Sequence, residues 1–315
     1  MFHAGFTNWI HGIAAVGGTW VFRERWSTPA FWDDVRRYSC TTTCLLGAMG
    51  NFLGRAESVQ DEADNPMRTM VSIPLPDNVE DFERRFDIEL CTAYGSTEMG
   101  IAFKTTQASD RRSCGRPFAE YDARIVDDDD QEVPVGTVGE IVMRPSEPWI
   151  SFAGYFGMPE ATVEAWRNLW FHSGDMAYRD QDDNYFFADR KKDSIRRRGE
   201  NISSVEVETY VYRVDAVFEC AAIPVPAEWG EDEVKICVAL KPGRTLSANE
   251  LIDALVSDKM PRFMVPRFVA FMDELPKTPT GKVQKDLLRK LAASDRGWDR
   301  TAVDPEFVSF GSHRG

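Results

Sequence analysis

The 315 residues carry 37 Lys and Arg against 51 Asp and Glu, a formal net charge of −14. Such a surface repels phosphate backbones and argues against non-specific nucleic-acid binding, while a few cations and helix dipoles can still hold the phosphates of a nucleotide. With 43% hydrophobic and 28% charged residues, the composition is that of a globular protein with one large domain or two.

No apolar run nears the roughly 20 residues that cross a bilayer. Met1-Phe2-His3-Ala4-Gly5 has no basic n-region, which argues against a signal peptide. Cysteines at 40, 44, 91, 114, 220 and 237 lack zinc spacing and read as reduced, mostly buried thiols of a cytoplasmic protein.

In chain order, Ala123–Val126 and Gly139–Met143 read as neighbouring strands around the acidic turn Asp127–Asp130. Pro159–Asn168 reads as a helix with Pro at an early position, and Tyr185–Ala188 as a short strand. A dense basic segment from Asp189 to Gly199 then interrupts the pattern and reads as a solvated crossing between domains. Beyond it the elements describe a small α+β unit. Ser203 with Glu206 predicts a capping box and a helix to about Tyr212, and Ser247 with Glu250 a second one and a helix to about Asp258. Ala221–Pro226, Val234–Leu240 and Val265–Met272 are strand candidates.

The chain has no G-x-x-x-x-G-K-[ST] loop, no G-x-G-x-x-G, no H-E-x-x-H and no G-x-S-x-G. Four other segments carry chemistry. Tyr94-Gly95-Ser96-Thr97-Glu98 offers a ring face for a base, hydroxyls for phosphate and a hard oxygen for Mg²⁺. Ser173-Gly174-Asp175 offers a carboxylate that can accept from paired ribose hydroxyls. The basic segment runs on through Gly199-Glu200-Asn201-Ile202-Ser203, and Pro276–Lys285 holds Thr278-Pro279-Thr280-Gly281-Lys282. Taken singly, each is a turn, a loop or a solvated charge run.

In this order and spacing, the four segments resemble those of the adenylate-forming (AMP-binding) enzymes, which include acyl-CoA synthetases, luciferases and the adenylation domains of peptide synthetases. Arg190-x-Lys192-Asp193 with Gly199-Glu200-Asn201-Ile202-Ser203 is most similar to the acyl-CoA synthetase branch, in particular crotonobetaine/carnitine-CoA and fatty-acid-CoA ligases. The resemblance implies an α/β fold. A partial large N-terminal domain, with mixed sheets, helices and a small β-rich subdomain, would span residues 1–191. A mobile α+β C-terminal domain would span 192–295, followed by a tail over 296–315.

It also implies an AMP-forming acid–thiol ligase that uses ATP, Mg²⁺ and coenzyme A on a small carboxylic acid. Tyr94 would stack on adenine, with Gly95 and Ser96 beside it, and Thr97 would contact phosphate. Glu98 would ligate Mg²⁺, Asp175 and Arg190 would hold the ribose, Lys192 would mark the hinge and Gly199 would let the pantetheine arm pass. Lys282 would be the catalytic cation, and His3 would lie beside the acyl pocket.

Two departures stand out. The Ser/Thr/Gly-rich phosphate loop that precedes the aromatic-His segment in this family is not in the sequence, and Val71-Ser72-Ile73-Pro74-Leu75 stands where relatives carry Gly-Gly/Ala-Pro. The reading is therefore of a truncated or split ligase, with a separately encoded N-terminal fragment as a partner. A catalytically impaired nucleotide- or acyl-adenylate-binding module, a luciferase-like or peptide-synthetase-type adenylating enzyme and a non-enzymatic interaction protein are the alternatives.

Overall fold

The computed structural model describes residues 4–46, 49–59, 61–73, 75–76, 78–105, 113–197, 200–227, 231–278 and 281–304. The chain divides into two compact units, residues 1–187 and 188–315.

The first unit opens with α1 (Ala4–Ala15) and α2 (Thr28–Arg37), followed by β1 (Thr42–Leu46), α3 (Met49–Arg55), β2 (Thr69–Ile73), α4 (Val79–Phe86) and β3 (Glu89–Cys91). β1, β2 and β3 pair in parallel and in sequence order, with α3 and α4 as the crossovers that parallel pairing requires. Helix α4 shows how local sequence sets this layer. The Asn78 side chain accepts from the Asp81 N–H at its start, Glu80 and Asp81 sit in the first turn and Arg84 and Arg85 in the last. Val79, Phe82 and Phe86 fall on one face and are buried, and Phe86 stacks on Trp32 at 4.5 Å.

Next come the antiparallel strands β4 (Ala93–Ser96), β5 (Gly100–Lys104) and β6 (Arg116–Pro117). A four-stranded sheet follows, from β7 (Tyr121–Val126), β8 (Gly139–Pro145), β9 (Phe171–Arg179) and β10 (Tyr185–Arg190), in the order β10-β9-β8-β7. β7 and β8 are antiparallel, with Ile125 opposite Ile141, and Asp127 Oδ1 caps the acidic turn by accepting from the N–H groups of Asp129 and Gln131. Between β8 and β9 lies α5 (Pro159–Ala165). It is shorter than the periodicity predicts because Asn168 and Leu169 take left-handed backbone, and Arg167–Leu169 is a 3₁₀ turn.

The second unit holds a short hairpin, β11 (Ile195–Arg197) with β12 (Glu200–Ile202), and α6 (Ser204–Tyr212). β13 (Val217–Pro226), β14 (Asp232–Leu240), α7 (Ala248–Ser257), β15 (Phe268–Phe271), α8 (Lys285–Ser294) and β16 (Trp298–Asp299) follow. β13-β14-β15-β16 form one sheet, with β14 and β15 parallel across α7. The Ser247–Glu250 capping box is complete. At Ser203 only half of the box is present: its Oγ accepts from the Glu206 N–H and donates to the Ala188 carbonyl.

The basic segment departs from the sequence reading. Arg197 is 1% exposed; its Nε lies 2.7 Å from Glu233, and Nη1 donates to the carbonyls of Phe263 and Val265 at 2.9 and 3.1 Å. A guanidinium can be buried this way because its fork of donors finds a carboxylate and two carbonyls at once. This part of the segment is core. The six cysteines are free, Cys220 and Cys237 buried and the other four half-buried. No helix among the described residues is long and apolar enough to cross a membrane.

In the first unit, Arg85 grips Glu62 through two nitrogens at 2.6 and 2.7 Å, and the Ser58 hydroxyl donates to the same carboxylate. The Arg85 guanidinium holds Glu62 down to about 2. A depressed carboxylate contributes stability above its unfolded pKa and loses it as pH falls through the folded value. We predict that the wild type loses on the order of 2–3 kcal/mol between about pH 4.5 and pH 2 through this group. Acid titration of unfolding free energy should show a shallower slope in that window for Glu62→Gln.

Candidate functional site

The hairpin of β4 and β5 carries the Tyr94–Glu98 segment. Tyr94 pairs with Phe103 and Ser96 with Gly100, with a register shift between Tyr94 and Gly95. A Cβ on Gly95 would lie 2.0 Å from the Gly100 carbonyl oxygen, so only glycine lets the strands close. Thr97 and Glu98 occupy the turn, Thr97 exposed and Glu98 half-buried. The Met99 N–H donates to Ser96 Oγ at 3.1 Å and closes the turn.

The strand β9 brings Asp175 to this hairpin. Ile141 of β8 is bypassed at a register shift in which Val142 faces His172 and Glu140 faces Met176. Ser173, Gly174 and Asp175 bulge out there, and Gly174 takes a φ of +69°. Ser173 Oγ donates to the Ile141 carbonyl at 2.7 Å and accepts from the Asp175 N–H at 3.1 Å, while the Gly174 N–H donates to Glu140. These bonds aim Asp175, and the Tyr94 hydroxyl donates to its Oδ2 at 2.7 Å. Both residues are buried, and burial followed by the Asp175 charge pushes the Tyr94 phenol well up. The Tyr94 ring meets Phe103 edge-on at 5.3 Å. Two segments 81 residues apart thus share one hydrogen bond.

Glu98 is braced from the loop after β8. The Phe152 N–H donates to the Glu98 carbonyl at 2.8 Å, and the Tyr155 hydroxyl donates to Glu98 Oε1 at 2.8 Å. Burial and the Glu98 contact push the Tyr155 phenol up to about 12. A single carboxylate with an oxygen to spare fits Mg²⁺, which is commonly bound through one or two carboxylates plus substrate phosphates and water. No cluster of three or more His, Cys, Asp or Glu suited to a metal occurs among the described residues. His172 is buried with ring nitrogens 3.4 and 3.7 Å from Glu140 and Asp130. It lines a cavity of about 320 Å³ together with Arg124, Asp130 and Trp170, and none of Tyr94, Glu98 or Asp175 borders that space.

In the second unit, Arg190 ends β10 half-buried, its N–H bonded to Asp189 Oδ1. Lys192 Nζ lies 3.2 Å from Asp286, and Arg289 pairs with both Asp286 and Asp193. Lys282 is exposed on a tight loop. Its N–H donates to Thr278 Oγ1 at 3.1 Å, its carbonyl accepts from the Thr278 N–H, and Gly281 takes a φ of +81°. Residues missed in the sequence anchor this loop. Lys285 Nζ donates to Ser204 Oγ at 2.6 Å and pairs with Glu208 at 2.7 Å. Asp189, 3% exposed, accepts from Ser204 Oγ and N–H, and burial pushes both carboxyls up. His3 and Gly199 lie outside the described residues.

The mixed α/β architecture matches that of solved adenylate-forming enzymes. Residues 1–156 match the AMP-binding enzyme family and residues 206–282 match the AMP-binding enzyme C-terminal domain. The chain belongs to the AMP-binding enzyme family. It is 34% identical over 281 residues to a crotonobetaine/carnitine–CoA ligase of Proteus mirabilis, covering 87% of this chain and 54% of the relative. The ATP-bound MatB of Rhodopseudomonas palustris superposes with a TM-score of 0.76 at 25% identity, covering 87% of this chain and 55% of that one. An anthranilate CoA ligase in complex with anthranoyl-AMP superposes at 0.75 and 26% identity, covering 88% and 56%. The chain thus spans about half the length of the curated relatives it matches.

Lys285 offers a test of the loop's anchorage. Lys285 and Glu208 are half-buried, and losing a charged hydrogen-bond partner there costs about 1.5–3 kcal/mol. We predict a loss of that size for Lys285→Met in denaturant unfolding, against a change within about 0.5 kcal/mol for the exposed Lys290→Met.

Proposed function

We propose that this chain carries out, or forms part of an enzyme that carries out, ATP-dependent carboxylate activation through an acyl-adenylate and transfer of the acyl group to coenzyme A. The observation that carries this reading is the buried Tyr94–Asp175 hydrogen bond. It joins the base-and-phosphate hairpin to the carboxylate suited to a ribose. In the first step a carboxylate oxygen bonds to the α-phosphorus of ATP and pyrophosphate leaves. In the second, the thiol sulfur of coenzyme A bonds to the acyl carbon and AMP leaves.

Tyr94, Gly95 and Ser96 take the adenine side of the nucleotide, Thr97 a phosphate oxygen, and Asp175 and Arg190 the ribose hydroxyls. Glu98 would hold Mg²⁺, which neutralises phosphate charge when bound. Lys282 stands on a loop braced at Thr278 and supplies a cation where negative charge develops on the α-phosphate. Reactions of this kind need positioning and charge stabilisation more than covalent help. Lys192 serves as the hinge residue, Gly199 gives the pantetheine arm passage and His3 lines the acyl pocket. The domains of this reading are residues 1–191 and 192–295, although the stretch read as a tail from 296 contributes β16, which pairs with β15; the enzyme of this reading works in the cytoplasm.

The phosphate loop of the family has no counterpart among these 315 residues, and a separately encoded N-terminal fragment supplies it in the split form of this reading. The names of the relatives, CoA ligases for carnitine-type and aromatic acids, support the acid–thiol class.

Loss of one stabilising group of the Lys282 kind lowers a rate by about 100-fold or more. We predict that fall for Lys282→Ala in acid-dependent ATP–pyrophosphate exchange, with unfolding unchanged because Lys282 is exposed. Exchange in the variant at the wild-type rate would contradict the assignment.

A further inference from the structure

Glu98 stands in the turn of a hairpin, where nothing in the strands themselves fixes the direction of its carboxylate. A metal ligand in such a place needs an outer partner to orient it. Resting on the reading of Glu98 as a metal ligand, we infer that Tyr155 is the residue that positions it: its phenol pins Oε1 and leaves Oε2 to face the metal.

The loop between β8 and α5 is built for that task. Its two hydrogen bonds to Glu98 fix the residue at both ends, backbone through the Phe152 N–H and side chain through the Tyr155 hydroxyl. No other hydrogen bond reaches the Glu98 carboxylate among the described residues. Tyr155 is itself immobilised. Its N–H donates to Thr162 Oγ1 at 2.9 Å, and that hydroxyl donates to the Met158 carbonyl at 3.0 Å. Its ring lies 5.0 Å from Phe152, which stacks on Trp166 at 6.0 Å and meets Phe171 edge-on at 5.7 Å. Phe171 is in the core of the sheet, so a continuous run of packed rings connects that core to the carboxylate. Neighbouring side chains on the same loop, Trp149 and Phe156, are fully exposed, so the inward turn of Tyr155 is not a general burial of the loop's aromatics.

In this reading Tyr155 acts through its hydrogen bond to Glu98, so it is a positioning residue. Its loss should weaken metal-dependent nucleotide binding and leave metal-free binding as it was. Orienting partners of metal ligands typically account for about 10–100-fold in metal affinity.

The test is calorimetric titration of the full chain with ATP, with and without Mn²⁺, read as the factor by which the metal tightens binding. Glu98→Gln should abolish that factor, and Tyr155→Phe should reduce it about 10-fold or more with metal-free affinity and melting temperature unchanged. A full metal effect in Tyr155→Phe, with the effect lost in Glu98→Gln, would overturn the inference and leave the function standing. A full metal effect in Glu98→Gln would overturn the metal-ligand reading and this inference with it, as would wild type that binds no nucleotide. If Tyr155→Phe does not fold, Thr162→Val removes the anchor and keeps the phenol. A partial loss of the metal effect is then expected, and an unchanged effect would count against the proposal.

Discussion

The first unit depends on one buried bond, from the Tyr94 hydroxyl to Asp175 Oδ2. A buried carboxylate is costly unless hydrogen bonds compensate it, and the phenol, held protonated by burial and by the charge it faces, is an apt donor. The requirement passes outward. Asp175 reaches Tyr94 because β9 bulges at Ser173 and Gly174, and the bulge is stitched to Ile141 and Glu140 of β8. Tyr94 presents its hydroxyl because the hairpin can close only over a glycine at position 95. Two sheets are thereby locked where Tyr94 of the hairpin meets Asp175 of β9.

The second unit uses the same physics differently. The end of β10, helix α6 and the start of α8 beside the Lys282 loop meet at Asp189, Ser204, Glu208 and Lys285. This cluster keeps the loop's base rigid while Lys282 remains exposed.

Much of this was legible in the sequence because the signals are local. The capping box at Ser247 and Glu250 and the strands around the Asp127–Asp130 turn each depend on residues within one short window. What could not be read depends on distant partners. Arg197 looks like one more solvated charge until Glu233 and the carbonyls of Phe263 and Val265 close around it. Tyr155 carries no signal of its own, since its partner Glu98 is 57 residues away. Helix α5 was overextended because left-handed backbone at Asn168 and Leu169 is invisible to periodicity.

The most direct measurement of the central claim is mass spectrometry of the products formed from MgATP, coenzyme A and a panel of short-chain, medium-chain, aromatic and betaine-type acids. The account predicts an acyl-adenylate or acyl-CoA whose mass identifies the acid class. Neither product from any acid would contradict it.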